Sequence, residues 1–340
     1  MKKKVYGLTL AFALLFSASA GLLLLLADSA KAELPNPLPY VPVIQINADS
    51  SITPETELIS RNGNTYTLTA DVNGCKIQIA RSNIVLDGNG HTLTLHSGDN
   101  PAIHLLNDAS VSVGVKNVTI KNIEIFASYI AIGMYYCSRC HITGVKTSWH
   151  IKLAYSDYNT VTESTAKIYL LGDILNNDPN NNVFFRNNIT GLVLTGVKSS
   201  VESNIFYKNN ILLRPGSDDL HIFPLPNKHN FWDNGSVGNY WSDYAARYPN
   251  ASEVGNTGIG DTPYVIDADN VDYYPLMYPY DIENDAVVFP TPEPQPSPSP
   301  EPQPEQDPFP TVLVASISTV TTVGVIAGSL YYQKKRSRNR

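Results

Sequence analysis

The chain has 340 residues, with 24 Lys and Arg against 31 Asp and Glu and a net charge of -7. Both ends are basic, and residues 33–310 together carry a net charge of -15. A segment of that sign will not hold nucleic acid through its phosphates, so DNA and RNA are excluded as partners. Three cysteines cannot form a disulfide scaffold, so the fold must rest on buried apolar surface.

The first 32 residues are typical of a secretory signal. Three lysines at positions 2–4 precede an uncharged run, residues 5–27, and residues 30–32 (Ala-Lys-Ala) form a small-x-small cleavage pattern. The uncharged run is longer than the usual ~7–15 residues of a signal core, so an uncleaved membrane anchor is the alternative. In either case we expect the chain that follows to be exported.

Residues 33–80 are predicted to form an N-terminal cap with the first strands, and residues 81–226 a solenoid. Short β-branched segments separated by Asn, Gly, Ser and Asp recur with a mean spacing near 21 residues between Asn117 and Ser200. Leucine-rich repeats and parallel β-helices both have such periods. The leucine pattern is missing, and no repeat contains a helix-length segment of period 3.6, so a parallel β-helix is favoured.

Asparagine is abundant, with 31 residues in the chain. Its side chain bonds neighbouring backbone groups, and its backbone tolerates left-handed conformations. We therefore expect asparagines of successive coils to stack into a ladder along a turn.

One cysteine segment within the solenoid could carry chemistry. Residues 137–141 (CSRCH) match the pattern of covalent haem attachment, but alignment with residues 156–161 sets the two cysteines opposite small polar turn residues. A turn clamped between coils offers no haem pocket. A metal site for copper(I) or zinc is the second interpretation, and core packing, a disulfide or free thiols are the alternatives. The predicted metal ligands are Met134, Cys137, Cys140 and His141.

Two neighbouring carboxylates could perform the acid and base steps of glycosidic bond cleavage. Asp218 and Asp219, followed by His221, are the one close pair with a nearby base. Adjacent residues on an extended strand point to opposite faces, which favours a solvated turn.

Residues 227–288 are predicted to form a C-terminal cap over the last coil. Its aromatic residues could either pack over that coil or stack on sugar rings, since flat aromatic faces suit the apolar faces of pyranosides. The predicted ligand-binding residues are Trp232, Tyr240, Trp241 and Tyr244. Four carboxylates could bind calcium or form a turn network, although they lack EF-hand spacing; they are Asp261, Asp267, Asp269 and Asp272.

Four strings in this cap resemble the C-terminal signature of NosD-like repeat proteins: residues 230–235 (NFWDNG), 238–244 (GNYWSDY), 258–264 (GIGDTPY) and 274–277 (YPLM). The resemblance covers roughly residues 60–280. It implies an all-β fold, the right-handed parallel β-helix also called the CASH domain, and an archaeal cell-surface location. Family members assist copper-site assembly, and related β-helices bind or cleave polysaccharides. Residues 255–257 (GNT) replace an Asp-rich stretch of the family, which weakens the case for calcium.

The rest of the chain is predicted to anchor the protein. Residues 289–310 hold ten of the 24 prolines, which favours an extended polyproline stalk. Residues 311–332 are uncharged and long enough to cross a bilayer, and the tail 333–340 is basic. Basic flanks stay in the cytoplasm, so the solenoid is expected outside the cell.

These features together predict a membrane-anchored extracellular β-helix protein that acts as a cell-surface binding or structural module rather than an enzyme. Carbohydrate is the leading ligand class. The expected partners are the membrane, through the C-terminal helix, and a cell-surface polysaccharide or surface protein. We expect the protein to have no cofactor. If it does bind a metal ion, copper and calcium are the candidates. The alternatives are a copper-binding or metal-delivery protein of the NosD type and a polysaccharide lyase or hydrolase.

Overall fold

The computed structural model describes residues 41–96, 98, 100–106, 114–172, 178–196, 201–213, 220–222 and 229–288. The predicted signal, stalk, membrane helix and basic tail lie outside these ranges, as do Asp218 and Asp219. Within the described ranges no helix is long and apolar enough to cross a membrane.

The described part of the chain is all-β, as predicted, with one short helix, α1 (Tyr244–Arg247). The strands of the first half are β1 (Val43–Ile46), β2 (Ile52–Thr53), β3 (Ile59–Asn62), β4 (Thr65–Leu68), β5 (Val72–Asn73), β6 (Lys76–Ile79), β7 (Ile84–Asp87), β8 (Thr92–Leu95), β9 (Ile103–Leu105), β10 (Val118–Ala127), β11 (Ile130–Tyr135) and β12 (His141–Ala154). The strands of the second half are β13 (Thr160–Thr162), β14 (Thr165–Gly172), β15 (Val183–Phe185), β16 (Asn188–Gly196), β17 (Ile205–Tyr207), β18 (Asn210–Ile211), β19 (Leu220–Ile222), β20 (Tyr240–Trp241), β21 (Tyr264–Val265), β22 (Val271–Asp272), β23 (Tyr280–Asp281) and β24 (Ala286–Val287).

Strands β1 to β20 belong to one long curled sheet whose neighbours pair mostly in parallel. The first stack of strands runs β4, β7, β10, β12, β13, β15, β17. The second runs β5, β8, the later part of β10, the middle of β12, the starts of β14 and β16, then β18 and β20. The third runs β1, β6, β9, β11, the ends of β12, β14 and β16, then β19. This arrangement is compatible with a β-helix.

The core lies inside the curled sheet. Strand β14 shows why: its burial alternates strictly, with Ala166, Ile168 and Leu170 inward and buried while the residues between them are partly exposed. Such period-two alternation puts every second side chain on the same face of a strand. Each fully buried aliphatic side chain stabilises the fold by about 1.5–3 kcal/mol relative to exposure.

The predicted asparagine ladder is confirmed. In the first ladder, Asn159, Asn182, Asn204 and Asn230 stack in successive coils, 23, 22 and 26 residues apart. The backbone N–H and the Nδ2 of each of the first three donate to Oδ1 of the next, at 2.9–3.1 Å. All four side chains are buried. Because buried polar groups must be paired, each residue supports the next.

A second ladder runs along another corner of the coils. Ser164 and Asn187 begin it, and Asn209 and Asn239 continue it, with backbone N–H to Oδ1 distances of 3.0, 3.0 and 3.2 Å. The side-chain Nδ2 of Asn187 and of Asn209 also donates to the next Oδ1, at 3.0 and 2.9 Å.

The left-handed backbone sits one residue earlier than expected. Residues just before ladder members adopt positive φ, among them Tyr158 (54°), Asn181 (57°), Glu163 (52°) and Arg186 (56°). A left-handed residue turns the strand through a corner, at a cost of about 1–2 kcal/mol for a residue with a side chain. The ladder hydrogen bonds that follow each corner offset this cost. The left-handed corner position can therefore hold residues of different types.

The cap uses the same short sequence twice. Residues 230–232 (Asn-Phe-Trp) and 239–241 (Asn-Tyr-Trp) each place an asparagine at the end of a ladder and a buried tryptophan two positions later, on the same inward face. The ladders then end on Asn270 and Asp272: Oδ1 of Asn270 accepts from the N–H of Asn230 at 3.1 Å, and Oδ2 of Asp272 from that of Asn239 at 2.8 Å.

Candidate functional site

The four aromatic residues predicted to bind ligand divide between the inside and the outside of the cap. Trp232, Trp241 and Tyr244 are buried, whereas Tyr240 is partly exposed. Trp232 stacks on Phe206 with centroids 4.7 Å apart, and Trp241 stacks on Tyr264 at 4.1 Å. The packing interpretation is therefore confirmed for the three buried rings. Sugar stacking by these residues stays a prediction that would require the cap to open.

Asp272 joins the second ladder to the cap. Its Oδ2 accepts from the N–H of Asn239 at 2.8 Å and from Nε1 of Trp241 at 2.9 Å, and its Oδ1 accepts from the N–H of Tyr274 at 3.1 Å. Burial raises the pKa of this carboxyl to about 7, against the opposing effect of the three donors. Asp272 therefore keeps its proton to a higher pH than an ordinary carboxyl does.

We expect the cap to lose stability as the pH rises from about 4 to 7. The folded pKa of about 7 exceeds the usual unfolded value of about 3.9, so the folded chain keeps a proton that the unfolded chain releases. The contribution is fully present below the unfolded pKa, is lost as the pH rises through the folded pKa, and is on the order of a few kcal/mol. Thermal unfolding of wild type and Asp272→Asn between pH 4 and 8 measures it. A difference between the two proteins that does not change with pH would contradict it.

The other cap carboxylates form turn contacts. Oδ1 of Asp261 accepts from the N–H of Ser252 at 3.0 Å and from the hydroxyl of Thr262 at 2.9 Å. Oδ1 of Asp267 accepts from the N–H of Asp269 at 2.8 Å. Across the described ranges no three His, Cys, Asp or Glu side chains are grouped as metal ligands. The turn network is observed, and calcium binding stays a prediction.

The cysteine segment lies where the sequence alignment placed it. The N–H of Cys137 donates to Oγ of Ser156 at 3.0 Å, and the N–H of Cys140 donates to Oδ1 of Asn159 at 2.9 Å. Both cysteines are free thiols and are buried, as is Met134. Cys140 thus occupies the position that asparagine takes in the following coils, at the beginning of the first ladder.

The thiols face the core, and the histidine faces the other side of the strand. Sγ of Cys137 donates to the carbonyl oxygens of Tyr135 at 3.3 Å and Leu105 at 3.4 Å, and burial raises the pKa of Cys137 well above its usual range. His141 follows Cys140 directly in the strand, is partly exposed, and has its pKa lowered by burial. Metal binding needs the thiolate form. Copper or zinc binding at these four residues stays a prediction.

The outer face of the third stack carries a group of residues that the sequence did not single out. We call it the aromatic strip: His104, Tyr129, Tyr135, Trp149, His150, Lys152 and Tyr169. It comes from strands β9, β11, β12 and β14 and the turn before β11, and its side chains are partly exposed, with Tyr129 at 37%. The strip is the largest continuous group of ring contacts on the outside of the described coils.

Each member of the strip contacts the next across neighbouring coils. His104 meets Tyr135 edge to face with centroids 5.1 Å apart, and Nζ of Lys152 lies 5.8 Å from the Tyr135 ring and 5.1 Å from the Tyr169 ring. His150 lies 5.7 Å from Tyr169. On its other side, His150 is 5.1 Å from Tyr129, which is 6.4 Å from Trp149.

Local sequence explains these positions. In residues 150–153 (HIKL) and 167–170 (KIYL), apolar residues alternate with histidine, lysine or tyrosine, so the latter must point outward. This alternation, repeated about one coil apart, is the signal by which sequence reasoning could have found the strip. Gly133 leaves room for it, because a Cβ there would lie 2.9 Å from Cε2 of Tyr135.

One lysine belongs to the strip and two more lie beside it. Lys76, Lys152 and Lys167 occupy outward positions, and no Asp or Glu does in the described strands of the third stack from β6 to β16. Burial, with a contribution from Lys76, lowers the pKa of His104 to about 4. Burial also lowers the pKa of His150, and the charges of Lys167 and Lys152 act in the same direction. Both histidines are therefore neutral at pH 7.

An open groove of about 860 Å³ lies elsewhere, beside Glu163, Arg186 and the loop after β23. Its charged lining residues are Lys146, Glu163, Arg186, Asp281 and Glu283. Arg186 contacts Glu163 and, at 3.5 Å, Asp285, which also binds Lys208 at 3.3 Å. Carboxylates engaged in this way hold the last segment of the cap against the coils. Cleavage of a polysaccharide stays a prediction.

No family model, curated protein or solved structure matches the chain.

Proposed function

We propose that the protein is exported, anchored in the membrane by residues 311–332, and uses a right-handed parallel β-helix of the NosD-like kind as a surface for carbohydrate. The curled parallel sheet and the two ladders support the β-helix. The uncharged segments and their basic flanks support the location. The cap strings support the resemblance, since Asn230, Trp232, Asn239 and Trp241 of these strings bond Asn270 or Asp272 at the ends of the ladders.

The aromatic strip is the observation that supports carbohydrate as the class of ligand. Exposed flat rings bind the apolar faces of pyranosides, and lysine and histidine supply N–H donors for their hydroxyls. Neighbouring strands of the stack are about 4.8 Å apart, which is close to the length of one sugar unit in a linear chain. Rings carried by successive coils can therefore meet successive sugars.

A binding module fits the strip better than a catalyst does. Glycoside cleavage commonly uses a pair of carboxylates, and the described outward residues of this face between β6 and β16 include none. The net charge of -15 on residues 33–310 also disfavours a polynucleotide, which could otherwise stack on the same rings.

We expect Tyr169→Ala to weaken glycan binding about tenfold, because one stacked ring contributes on the order of 1 kcal/mol and its loss also removes the support of Lys152. A glycan array with the full chain in detergent identifies the ligand, and calorimetry with that glycan measures the affinity. The control is Tyr273→Ala, a tyrosine 63% exposed in the cap and remote from the strip in sequence. Equal losses in both variants, or an array with no binding, would refute the proposed function.

A further inference from the structure

We propose that Asn234 carries an N-linked glycan whose first sugars cover an apolar groove on the outside of the first stack. This inference rests on the export of the chain in the proposed function and adds a modification site to it. The pattern Asn-x-Ser/Thr marks the asparagines that accept such glycans in exported proteins. It occurs four times in the chain, at Asn117, Asn188, Asn234 and Asn250.

The structure separates these four asparagines by their exposure and by the bonds of their side chains. Nδ2 of Asn117 donates to Oδ1 of Asn83 at 2.8 Å, and Asn188 is partly buried in strand β16. Asn234 and Asn250 are exposed in loops of the cap. Asn234 also lines an apolar groove, which makes it the strongest acceptor candidate of the four.

The side-chain amide of Asn234 is held with its nitrogen free. Its Oδ1 accepts from the N–H of Ser236 at 3.1 Å, from the N–H of Val237 at 3.0 Å and from the hydroxyl of Ser236 at 2.8 Å. The two backbone N–H donors identify this atom as the oxygen. Within the described part of the chain Nδ2 donates to no partner, so the nitrogen is the end of the side chain that is open to a sugar.

The same hydrogen bonds favour the transfer of a sugar to Nδ2. The donor is an oligosaccharide joined through its C1 atom to a lipid phosphate, and the export pathway supplies it together with a transferase. The bond from C1 to the phosphate oxygen breaks, a bond from C1 to Nδ2 forms, and one Nδ2 proton goes to the released phosphate. The donors on Oδ1 stabilise the negative charge that develops on the amide as this proton leaves.

An apolar groove of about 580 Å³ lies beside residues 233–235. Three of its side chains, Val183, Ile205 and Phe231, occupy paired positions in successive coils of the first stack, and Tyr207 adds a second ring. Because the acceptor asparagine itself lines this groove, a glycan attached there has the apolar side chains within reach of its first sugars.

The apolar side chains at these positions begin only near the end of the stack. In the three coils before Val183, the same outward positions hold Thr119, His141 and Thr160. Phe231 is 52% exposed, and a ring open to water is a surface that the apolar face of a sugar can cover. Neighbouring coils are about 4.8 Å apart, so two linked sugars can follow Phe231 and Ile205.

Occupancy is tested with the full chain produced in cells whose export pathway attaches N-linked glycans. Mass spectrometry of peptides is expected to find a glycan on Asn234 in the wild type and in Ser236→Thr, which keeps the acceptor pattern. Ser236→Ala removes the pattern and should leave Asn234 unmodified. Protease added to intact cells shows in parallel whether the solenoid lies outside.

Thermal unfolding tests whether the glycan covers the groove. The wild type from glycosylating cells is expected to unfold about 2 °C or more above the same chain from cells that lack the transferase. In Phe231→Ala this difference should disappear, because the ring that the sugar covers is gone. Asn250→Gln is the matched control, since it removes another exposed acceptor asparagine and should keep the difference.

A solenoid that lies outside with Asn234 unmodified overturns the inference and leaves the proposed function standing. No midpoint difference in the wild type, or an equal difference in Phe231→Ala, overturns it as well. A solenoid that protease cannot reach shows that the chain is not exported, which removes the proposed function together with the inference.

Discussion

Asn182→Ala is expected to lower the free energy of unfolding by about 3–5 kcal/mol. Oδ1 of Asn182 accepts from the N–H of Asn159 at 2.9 Å and from its Nδ2 at 3.0 Å, and Nδ2 of Asn182 donates to the carbonyl of Ser156 at 3.0 Å. Truncation leaves these buried groups without that partner, at about 1–3 kcal/mol for each unpaired group. Equilibrium unfolding in urea measures the loss.

The matched control is Asn256→Ala, an exposed asparagine in a cap turn, for which a change within about 0.5 kcal/mol is expected. Asn182→Asp distinguishes the loss of the ladder hydrogen bonds from the loss of side-chain volume. It keeps the size of the side chain but places an ionisable group among buried donors. It should destabilise the fold and make the midpoint depend on pH. If Asn182→Ala unfolds at the same urea concentration as Asn256→Ala, the ladder has no structural role.

Trp232→Ala is the second large effect, with an expected loss of about 3–5 kcal/mol, the range for deleting a buried tryptophan. The ring is fully buried between Phe206 and Trp241, at centroid distances of 4.7 and 5.5 Å. Its Nε1 donates to Oδ1 of Asn270 at 3.1 Å. Truncation therefore opens a cavity between the last coil and the cap, and thermal unfolding should show a lowered midpoint.

Trp232→Phe separates the contribution of ring packing from that of the hydrogen bond, because it keeps most of the stacking but removes the N–H donor. It should cost about 1–2 kcal/mol. The neighbouring Phe231, which is 52% exposed, provides the control, and Phe231→Ala should change stability far less. A loss as large in Phe231→Ala as in Trp232→Ala would show that the cap does not depend on the buried ring.

The ladder could be predicted from the sequence because every coil must contribute a polar residue to it at a regular spacing. An inward polar group needs a like partner in the next coil, so Asn159 requires Asn182, and the spacing becomes visible as a repeat. The same reasoning placed Cys140 opposite Asn159, which the structure confirms. The tryptophans of the cap were found for a related reason, since a solenoid must cover its last coil.

The sequence pattern that indicates the aromatic strip is weaker. Tyr129 and His150 lie 21 residues apart, about one coil, and Tyr169 follows in the next coil, but outward positions have no packing partner that fixes their type. Their proximity depends on the register between β12 and β14, which shifts between Lys146 and His150. A repeat inferred from the first stack could not supply that register. Likewise, only the structure shows that the left-handed corner precedes the asparagine.

The ends of the ladders make the number of coils adjustable. Each ladder residue receives a hydrogen bond from the coil before it and gives one to the coil after it, and Asn270 and Asp272 accept from the last asparagines, Asn230 and Asn239. Duplicating one coil would therefore insert a unit that both neighbours already fit, and the same cap would close the longer domain. The outer face would grow by one strand with it, so coil duplication would lengthen the exposed face without a change at either end.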